Sequence, residues 1–224
     1  MLLYYITDRK SLAATYAQQR SLLLARVAEA ARSGVDYIQL REKDLAARDL
    51  ERLARDAVRM VRDHSATTKL LINGRADVAL ASGADGVHLP AGDLTASEVR
   101  ALWMQAIDRP PVIAVSTHTL AELRAAAADG ANFAVLAPIF EKAHAGVPGI
   151  GLDALRAACV GSTPADNPES APQNRFAVLA LGGVTLANAR ACLAAGAAGI
   201  AGIRLFQTGN IVETVRRLRE LAPI

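Results

Sequence analysis

Polar and charged side chains recur directly after short apolar runs along this 224-residue chain. Histidine can transfer protons near neutral pH, carboxylates can hold Mg²⁺, and cationic or glycine-rich segments can bind phosphate. The residues in such places are Asp8, Arg41, Lys43, Asn73, Arg75, His88, Asp93, Ser116, His118, Glu141, Lys142, His144, Gly182, Gly183 and Arg204. If the apolar runs are parallel strands, these side chains meet at one end of a single sheet.

The segment 69–93 predicts how these residues are positioned. Residues 69–72 form an apolar run that stops at Asn73, which is typical of a strand ending in a turn. Residues 75–82 have apolar side chains at helical spacing, and residues 86–89 form a second apolar run that ends at Pro90. This order predicts a compact β-α-β unit with parallel strands.

The same unit recurs along the chain. Four glycines, each predicted to end a helix just before every second strand, lie in similar local sequences: Gly34, Gly83, Gly130 and Gly196. Eight strands alternating with eight helices predict a (β/α)₈ TIM barrel, an α/β fold, in one domain over residues 1–224. An open doubly wound sheet is the alternative, but no glycine-rich loop follows the first strand. Residues 161–174, rich in Pro, Ser and Asn, predict a flexible surface loop away from the site.

Composition narrows the class of protein. Hydrophobic residues make up 52% of the chain and aromatic residues 4%, which suits a large aliphatic core. No apolar run reaches the about 18 residues of a membrane-spanning helix, and no basic leader precedes the first strand. The net charge of +3 is spread along helices, and the cysteines Cys159 and Cys192 have no metal-ligand spacing. We therefore expect a cytoplasmic protein with free thiols that binds neither nucleic acid nor membrane.

Two strand ends carry the more specific signals. Gly182 and Gly183 follow the seventh strand, and Ile203 and Arg204 follow the eighth, which in many barrels together form a phosphate-binding cup. A plain tight turn is the alternative for the glycines. His118 ends the fifth strand, where it could exchange protons or merely lie at the start of a helix.

Five segments together resemble one family along the whole chain: residues 5–8 (YITD), 38–43 (IQLREK), 83–89 (GADGVHL), 116–118 (STH) and 181–184 (LGGV). They are similar to the thiamine-phosphate synthase/TenI superfamily. The resemblance implies one of two activities. The synthase couples a pyrimidine diphosphate to a thiazole phosphate with Mg²⁺. The tautomerase, TenI, aromatises a thiazole phosphate carboxylate by moving a proton.

The chain departs from the synthase pattern at two places. Gly74 stands where the synthase has an Asp that binds Mg²⁺, and the loop after Phe140 lacks the threonines and lysine that hold the diphosphate. The segments 73–75 and 87–90 also resemble the tautomerase branch, whereas 39–43 and Asp93 keep the synthase pattern. We therefore expect the tautomerase, with the synthase and a non-catalytic ligand-binding or regulatory barrel as alternatives.

The resemblance also implies residue roles for a small-molecule thiazole phosphate substrate. His118 would be the catalytic proton shuttle. The substrate-binding residues would be Arg41, Lys43, Asn73, Gln39 and Ser116. The phosphate would bind Gly182, Gly183, Ile203 and Arg204. No metal or other cofactor is expected for the tautomerase, whereas a synthase would hold Mg²⁺ at Asp93. TenI-like barrels tend to associate, so a homo-oligomer is a further expectation.

Overall fold

The computed structural model describes residues 1–141, 146, 148–162 and 176–221. Eight parallel strands pair in sequence order, and the eighth pairs with the first, which closes a barrel. The strands are β1 Leu2–Ile6, β2 Tyr37–Leu40, β3 Lys69–Asn73, β4 Gly86–Leu89, β5 Val112–Thr117, β6 Phe133–Leu136, β7 Ala177–Ala180 and β8 Gly199–Gly202. The predicted (β/α)₈ fold is confirmed.

Helices follow the strands and cover the outside of the barrel. They are α1 Tyr16–Arg32, α2 Ala47–His64, α3 Ala76–Ser82, α4 Ala96–Ala106, α5 Leu120–Ala128, α6 Gly151–Gly161, α7 Ala189–Ala194, α8 Arg204–Gln207 and α9 Ile211–Arg219. In α2, the buried residues Leu50, Leu53, Ala57 and Val61 recur every three or four positions, which gives the helix one apolar face. Helix α4 begins with a capping box in which Thr95 and Glu98 bond each other's backbone.

Some boundaries differ from those that the sequence predicts. The apolar spacing predicts helix α1 from about residue 22, but the helix begins at Tyr16. The pattern does not predict the first turns because they are largely exposed and carry no apolar periodicity. The apolar run at 112–115 predicts strand β5, and the observed strand extends two residues further, through Ser116 and Thr117. The loop predicted at 161–174 begins at the end of α6, and residues 163–175 lie outside the described part of the chain.

The four predicted glycine turns share one geometry. Gly34, Gly83, Gly130 and Gly196 all have positive φ, between 74° and 100°, which L-residues with a side chain rarely adopt. Two positions after the first three glycines, a side-chain oxygen accepts a hydrogen bond from the backbone of the preceding odd-numbered strand. These pairs are Asp36 with Leu3 N, Asp85 with Leu70 N and Asn132 with Ile113 N. The fourth turn has Ala198 instead, which joins Val178 through the backbone alone.

Two apolar cores lie on either side of the sheet. The outer core joins the strands to the helices, and the inner core fills the barrel with layers of side chains. By strand register, Tyr4, Leu71, Ala114 and Leu179 pair with Tyr37, Gly86, Phe133 and Gly199. The rings of Tyr37 and Phe133 pack with centroids 4.7 Å apart, so aromatic side chains close the lower barrel.

Two expectations from composition can be compared with the structure. Cys159 and Cys192 are free and buried, as predicted, and burial raises the pKa of each thiol to about 11. Among the helices that the structure describes, none combines the length and apolar character needed to cross a membrane.

Candidate active site

The upper layers of the barrel interior are polar. Gln39 and Asn73 lie on adjacent strands, and Gln39 Nε2 donates a hydrogen bond of 2.9 Å to Asn73 Oδ1. Beside them, His88 Nε2 lies 2.7 Å from Ser116 Oγ. Gln39 and His88 are buried, whereas Asn73 and Ser116 are partly exposed. Asn73 and Ser116 therefore form a polar floor that is held from below by two buried side chains.

Two cations at the end of β2 differ in their surroundings. Arg41 is partly buried, and its backbone N–H donates to Thr7 Oγ1 at 3.0 Å. Burial and, to a lesser extent, the charge of Arg41 lower the pKa of His88 to about 3. Lys43 is exposed and lines a cleft outside the barrel axis. The predicted pair is thus divided between the polar floor and the neighbouring cleft.

The residue between these cations has a structural role that the sequence analysis missed. Glu42 is 5% exposed and accepts hydrogen bonds from Thr7 Oγ1 at 2.7 Å and from Arg9 Nη1 at 2.8 Å. Arg9 is also buried and makes a two-pronged contact with Asp44, whose pKa lies well below its ordinary value because of that contact. In an extended segment, the side chain of Glu42 points to the opposite side from those of Arg41 and Lys43. This alternation was the sequence feature that could have indicated a separate role for Glu42.

His118 directly follows β5 and is exposed. Its Nδ1 lies 2.7 Å from the carbonyl oxygen of Ala137, and its backbone N–H donates to Glu122 Oε2 at 2.7 Å. A carbonyl oxygen only accepts, so Nδ1 carries the ring proton and Nε2 holds a lone pair in the neutral form. Thr119 caps α5 by accepting from Glu122 N, so the cap uses the backbone of His118 but not its imidazole. The site of His118 is therefore chemically suited to a general base.

The glycines after β7 approach the neighbouring loop closely. Gly182 and Gly183 have φ of 94° and 66°, and a Cβ at Gly183 would lie 2.7 Å from Phe140 Cβ. In this respect they form a tight turn, as the alternative explanation requires. Gly183 and Ile203 each stand three positions after the last residues that pair β7 with β8, Ala180 and Ile200. Among the described residues, the backbone N–H groups of Gly183 and Ile203 have no backbone acceptor.

Gln207 of α8 connects this end of the barrel to the loop after β1, and the sequence analysis did not identify it. Its Oε1 accepts from Tyr5 Oη at 2.9 Å and from the N–H of Asp8 at 3.0 Å, and its Nε2 donates to the carbonyl of Asp8 at 2.6 Å. These bonds hold the short helix α8 in place. Arg204, at the start of α8, is exposed.

A cleft of about 260 Å³ opens where β2, β3 and β4 end, and Lys43, Asn73 and Asp93 are among its lining residues. Gly74 has φ of 61°, and a Cβ there would lie 3.3 Å from Asp93 Oδ2. A carboxylate at position 74 would thus stand beside Asp93. Among the described residues, no group of three acidic, histidine or cysteine side chains could hold a metal ion.

The cleft offers few oxygen ligands for Mg²⁺. Mg²⁺ commonly takes one or two protein carboxylates and completes its shell with water and substrate phosphate oxygens. Asp93 is exposed and supplies one carboxylate at the cleft. Glu42 also lines the cleft, but it is buried and bonded to Arg9 and Thr7. Asp93 could therefore hold Mg²⁺ together with a phosphorylated ligand, and a site with one available carboxylate binds the ion weakly. Lys142 and His144, two strand-end candidates, lie outside the described residues.

Comparison with known proteins identifies the family of this chain. The family model described as thiamine monophosphate synthase matches residues 3–206. The chain belongs to the thiamine monophosphate synthase family. This confirms the predicted superfamily, although the match does not distinguish its TenI branch.

Members of the thiamine monophosphate synthase family are similar over nearly the whole chain. The thiamine-phosphate synthase of Methanoculleus marisnigri is 37% identical, over 97% of this chain and 93% of the relative. That of Roseiflexus castenholzii is 36% identical, over 89% and 78%. A solved structure of thiamine phosphate pyrophosphorylase from Pyrococcus furiosus superposes with a TM-score of 0.75 at 28% identity, covering 98% of this chain and 94% of that one.

Proposed function

We propose that this enzyme of thiamine biosynthesis is a thiamine-phosphate synthase, which couples a pyrimidine diphosphate to a thiazole phosphate and releases pyrophosphate. The relative that covers 97% of the chain carries that name, and this is the observation on which the proposal rests. It was the alternative in the sequence analysis, where the tautomerase was expected. The family match supports both reactions, but the names of the relatives favour the synthase.

The polar floor supports binding of an aromatic ring. Asn73 and Ser116 present an amide and a hydroxyl at the carboxyl ends of β3 and β5, and Gln39 fixes the orientation of the Asn73 amide through its 2.9 Å hydrogen bond. A heteroaromatic ring has nitrogen atoms that can pair with such groups. A buried partner that holds a binding group in one orientation lowers the entropy lost on binding.

Several cations and backbone groups suit the phosphates. Arg41 and Lys43 flank the floor and the cleft, and a departing diphosphate gains negative charge that such cations stabilise. Mg²⁺, when bound, would neutralise part of the diphosphate charge, and Asp93 would hold the ion. The turn at Gly182–Gly183 and the segment Ile203–Arg204 would bind the phosphate of the thiazole through backbone N–H groups.

A specific observation favours the tautomerase as the second candidate. Gly74 leaves Asp93 without a carboxylate beside it, and Glu42, which also lines the cleft, is bonded to Arg9 and Thr7, which weakens metal binding. His118 meanwhile has its proton fixed on Nδ1, so Nε2 could remove a proton from a substrate carbon and return it to another. Gly182, Gly183, Ile203 and Arg204 would anchor the phosphate in this reaction as well.

One pair of assays tests the proposal. Purified protein with pyrimidine diphosphate, thiazole phosphate and Mg²⁺ should release pyrophosphate, and omission of either organic substrate is the control. A parallel assay with thiazole phosphate carboxylate measures aromatisation. Aromatisation without pyrophosphate release would establish the tautomerase instead. Binding of thiazole phosphate without turnover in either assay would establish the non-catalytic alternative.

A further inference from the structure

A chain of three hydrogen-bonded side chains crosses the barrel interior and ends at the polar floor. Tyr4 Oη lies 2.9 Å from His88 Nδ1, and His88 Nε2 lies 2.7 Å from Ser116 Oγ. Tyr4 is fully buried, and its ring packs against Tyr37 and Phe133. Ser116 is partly exposed, so the chain connects a closed apolar interior to a surface that a ligand can touch.

The middle member of this chain is a neutral imidazole. Burial is the main cause and the charge of Arg41 the second cause of the low pKa of His88, about 3. Tyr4 stays protonated as well, because burial raises its pKa well above the ordinary value. A neutral imidazole has one N–H and one lone pair, so one nitrogen donates and the other accepts. The choice of nitrogen sets the direction of both hydrogen bonds.

The surroundings of Tyr4 decide that choice. If Nδ1 of His88 carried the proton, it would donate to Tyr4 Oη, and the hydroxyl hydrogen of Tyr4 would need another acceptor. Among the described residues, Tyr4 Oη has no hydrogen-bond partner besides His88. A buried donor without an acceptor is unfavourable. With the proton on Nε2, Tyr4 donates to Nδ1 and Nε2 donates to Ser116. Neither buried donor, the Tyr4 hydroxyl or the His88 N–H, is then without an acceptor.

We propose that Tyr4 is a positioning residue that fixes the proton of His88 on Nε2, so that the hydroxyl hydrogen of Ser116 is free to donate to substrate. In the opposite tautomer, Ser116 would donate its hydroxyl hydrogen to His88 Nε2 and could only accept a hydrogen bond from the substrate. The hydrogen bonds from Tyr4 through His88 therefore make Ser116 a donor. Ser116 then selects a hydrogen-bond acceptor on the substrate, either an aromatic ring nitrogen or a phosphate oxygen. This inference rests on the proposed function for the identity of the substrate, but not for the tautomer.

Nitrogen-15 NMR of the full chain labelled at histidine tests the tautomer without any assay of activity. The signals of His88, identified by their loss in His88→Gln, should show a protonated Nε2 and an unprotonated Nδ1. Tyr4→Phe keeps the ring contacts and should lower the fraction with Nε2 protonated. A protonated Nδ1 in the unaltered protein would overturn the proposal, and so would a Tyr4→Phe variant whose tautomer is unchanged.

Kinetics then test the consequence for Ser116. Tyr4→Phe should lower kcat/KM for pyrophosphate release by about 3- to 10-fold, the range expected for one hydrogen bond. It should cause no further loss in a Ser116→Ala background, because both changes remove the same interaction. Tyr37→Phe is the matched control, and its effect should multiply with that of Ser116→Ala. Independent effects of Tyr4→Phe and Ser116→Ala would contradict the proposal.

The probe and the controls separate the possible sources of failure. Inorganic pyrophosphate that binds Ser116→Ala more weakly than the unaltered protein would identify a phosphate oxygen as the acceptor. Equal affinity, with the loss confined to kcat/KM, would identify a ring nitrogen. If the unaltered protein released no pyrophosphate, the proposed function would fail while the NMR result still decided the tautomer.

Discussion

The Nδ1 atom of His118 lies 2.7 Å from the carbonyl oxygen of Ala137, and this contact fixes which ring nitrogen can act as a base. Ala137 follows β6, so the strand next to β5 orients the imidazole that β5 carries. The arrangement is the reverse of that at His88, where we infer a proton on Nε2. Different partners thus hold two histidines, one on β4 and one directly after β5, in opposite tautomers.

Replacement of His118 by Gln removes the lone pair on Nε2. We expect any thiazole carboxylate aromatisation by this protein to fall by about 10²–10⁴-fold, the usual contribution of general acid–base catalysis. Pyrophosphate release should fall less than tenfold, because no proton transfer by His118 is proposed for that reaction. The measurement is the initial rate of both reactions under one set of conditions.

His64→Gln is the matched control, since His64 ends α2 and its Nδ1 contacts the carbonyl of Met60 within the same helix. Its rates should equal those of the unaltered protein. Aromatisation by His118→Gln at a near-normal rate would remove His118 from the tautomerase proposal.

Asp93 is exposed at the cleft, whereas Glu42 is buried against Arg9, and this arrangement predicts an unusual response to Mg²⁺. Asp93→Asn should raise the Mg²⁺ concentration for half-maximal pyrophosphate release at least about tenfold, because the remaining ligands are water and substrate. Gly74→Asp places a carboxylate beside Asp93 and should lower that concentration by about tenfold. A Mg²⁺ titration of both variants checks this prediction.

Gly74→Asp also places a side chain in the left-handed region, which costs roughly 1–2 kcal/mol. Gly34→Asp is the matched control because Gly34 has φ of 85° and open space around it, and it precedes β2, whereas the cleft lies where β2 ends. It should lose stability without a change in the Mg²⁺ requirement. A Gly74→Asp variant with an unaltered Mg²⁺ requirement would argue against a metal at Asp93.

The glycine turns predict both a destabilising and a stabilising change. Asn132→Ala removes the acceptor of the 2.7 Å hydrogen bond from Ile113 N and should lower the free energy of unfolding by about 1–2 kcal/mol. Ala198→Asp should supply the missing acceptor for Val178 N and raise it by about 0.5–1 kcal/mol. Urea unfolding of the two variants measures both effects, and a loss of stability in Ala198→Asp would show that the fourth turn is not equivalent.

The buried His88 predicts how stability depends on pH. Its pKa is about 3 in the folded protein, against about 6.5 for a free imidazole, so the unfolded chain binds a proton in this range and the folded protein does not. The free energy of unfolding should therefore fall as pH decreases from about 6.5 towards 3, by up to about 1.4 kcal/mol per pH unit from this residue. Urea unfolding at pH 5 and 7 measures the slope.

His88→Gln carries no titrating ring and should show a shallower slope over the same interval. His64→Gln again serves as the control, since His64 is partly exposed at the end of a helix. Equal slopes in His88→Gln and the unaltered protein would mean that His88 is charged inside the barrel.

Local sequence was sufficient to predict the barrel. Gly83 and its three equivalents have to adopt positive φ, and the residues that follow them enter strands, so the repeat is visible without any structure. The polar floor was predictable for a related reason. Asn73 and Ser116 stand at strand ends, and parallel strands in a barrel bring such positions together.

The partners of those residues could not be predicted in the same way. Tyr4 and Ser116 are separated by half the chain, and strand register alone decides that His88 lies between them. Arg9 and Glu42 form a buried ion pair across two loops, although each residue type is usually exposed. The sequence motifs were also not sufficient to choose between the two reactions, because Gly74 favours the tautomerase whereas the names of the relatives favour the synthase.

The aromatic packing of Tyr37 and Phe133 in the lower barrel has a kinetic consequence. Among the described residues, it fills the end of the barrel where the strands begin, so we expect ligands to enter at the carboxyl ends of the strands. If a co-substrate covers Asn73 and Ser116, the substrate that contacts them has to bind first and its product has to leave last. For the proposed synthase reaction we therefore expect a compulsory order of addition, which product inhibition patterns measure.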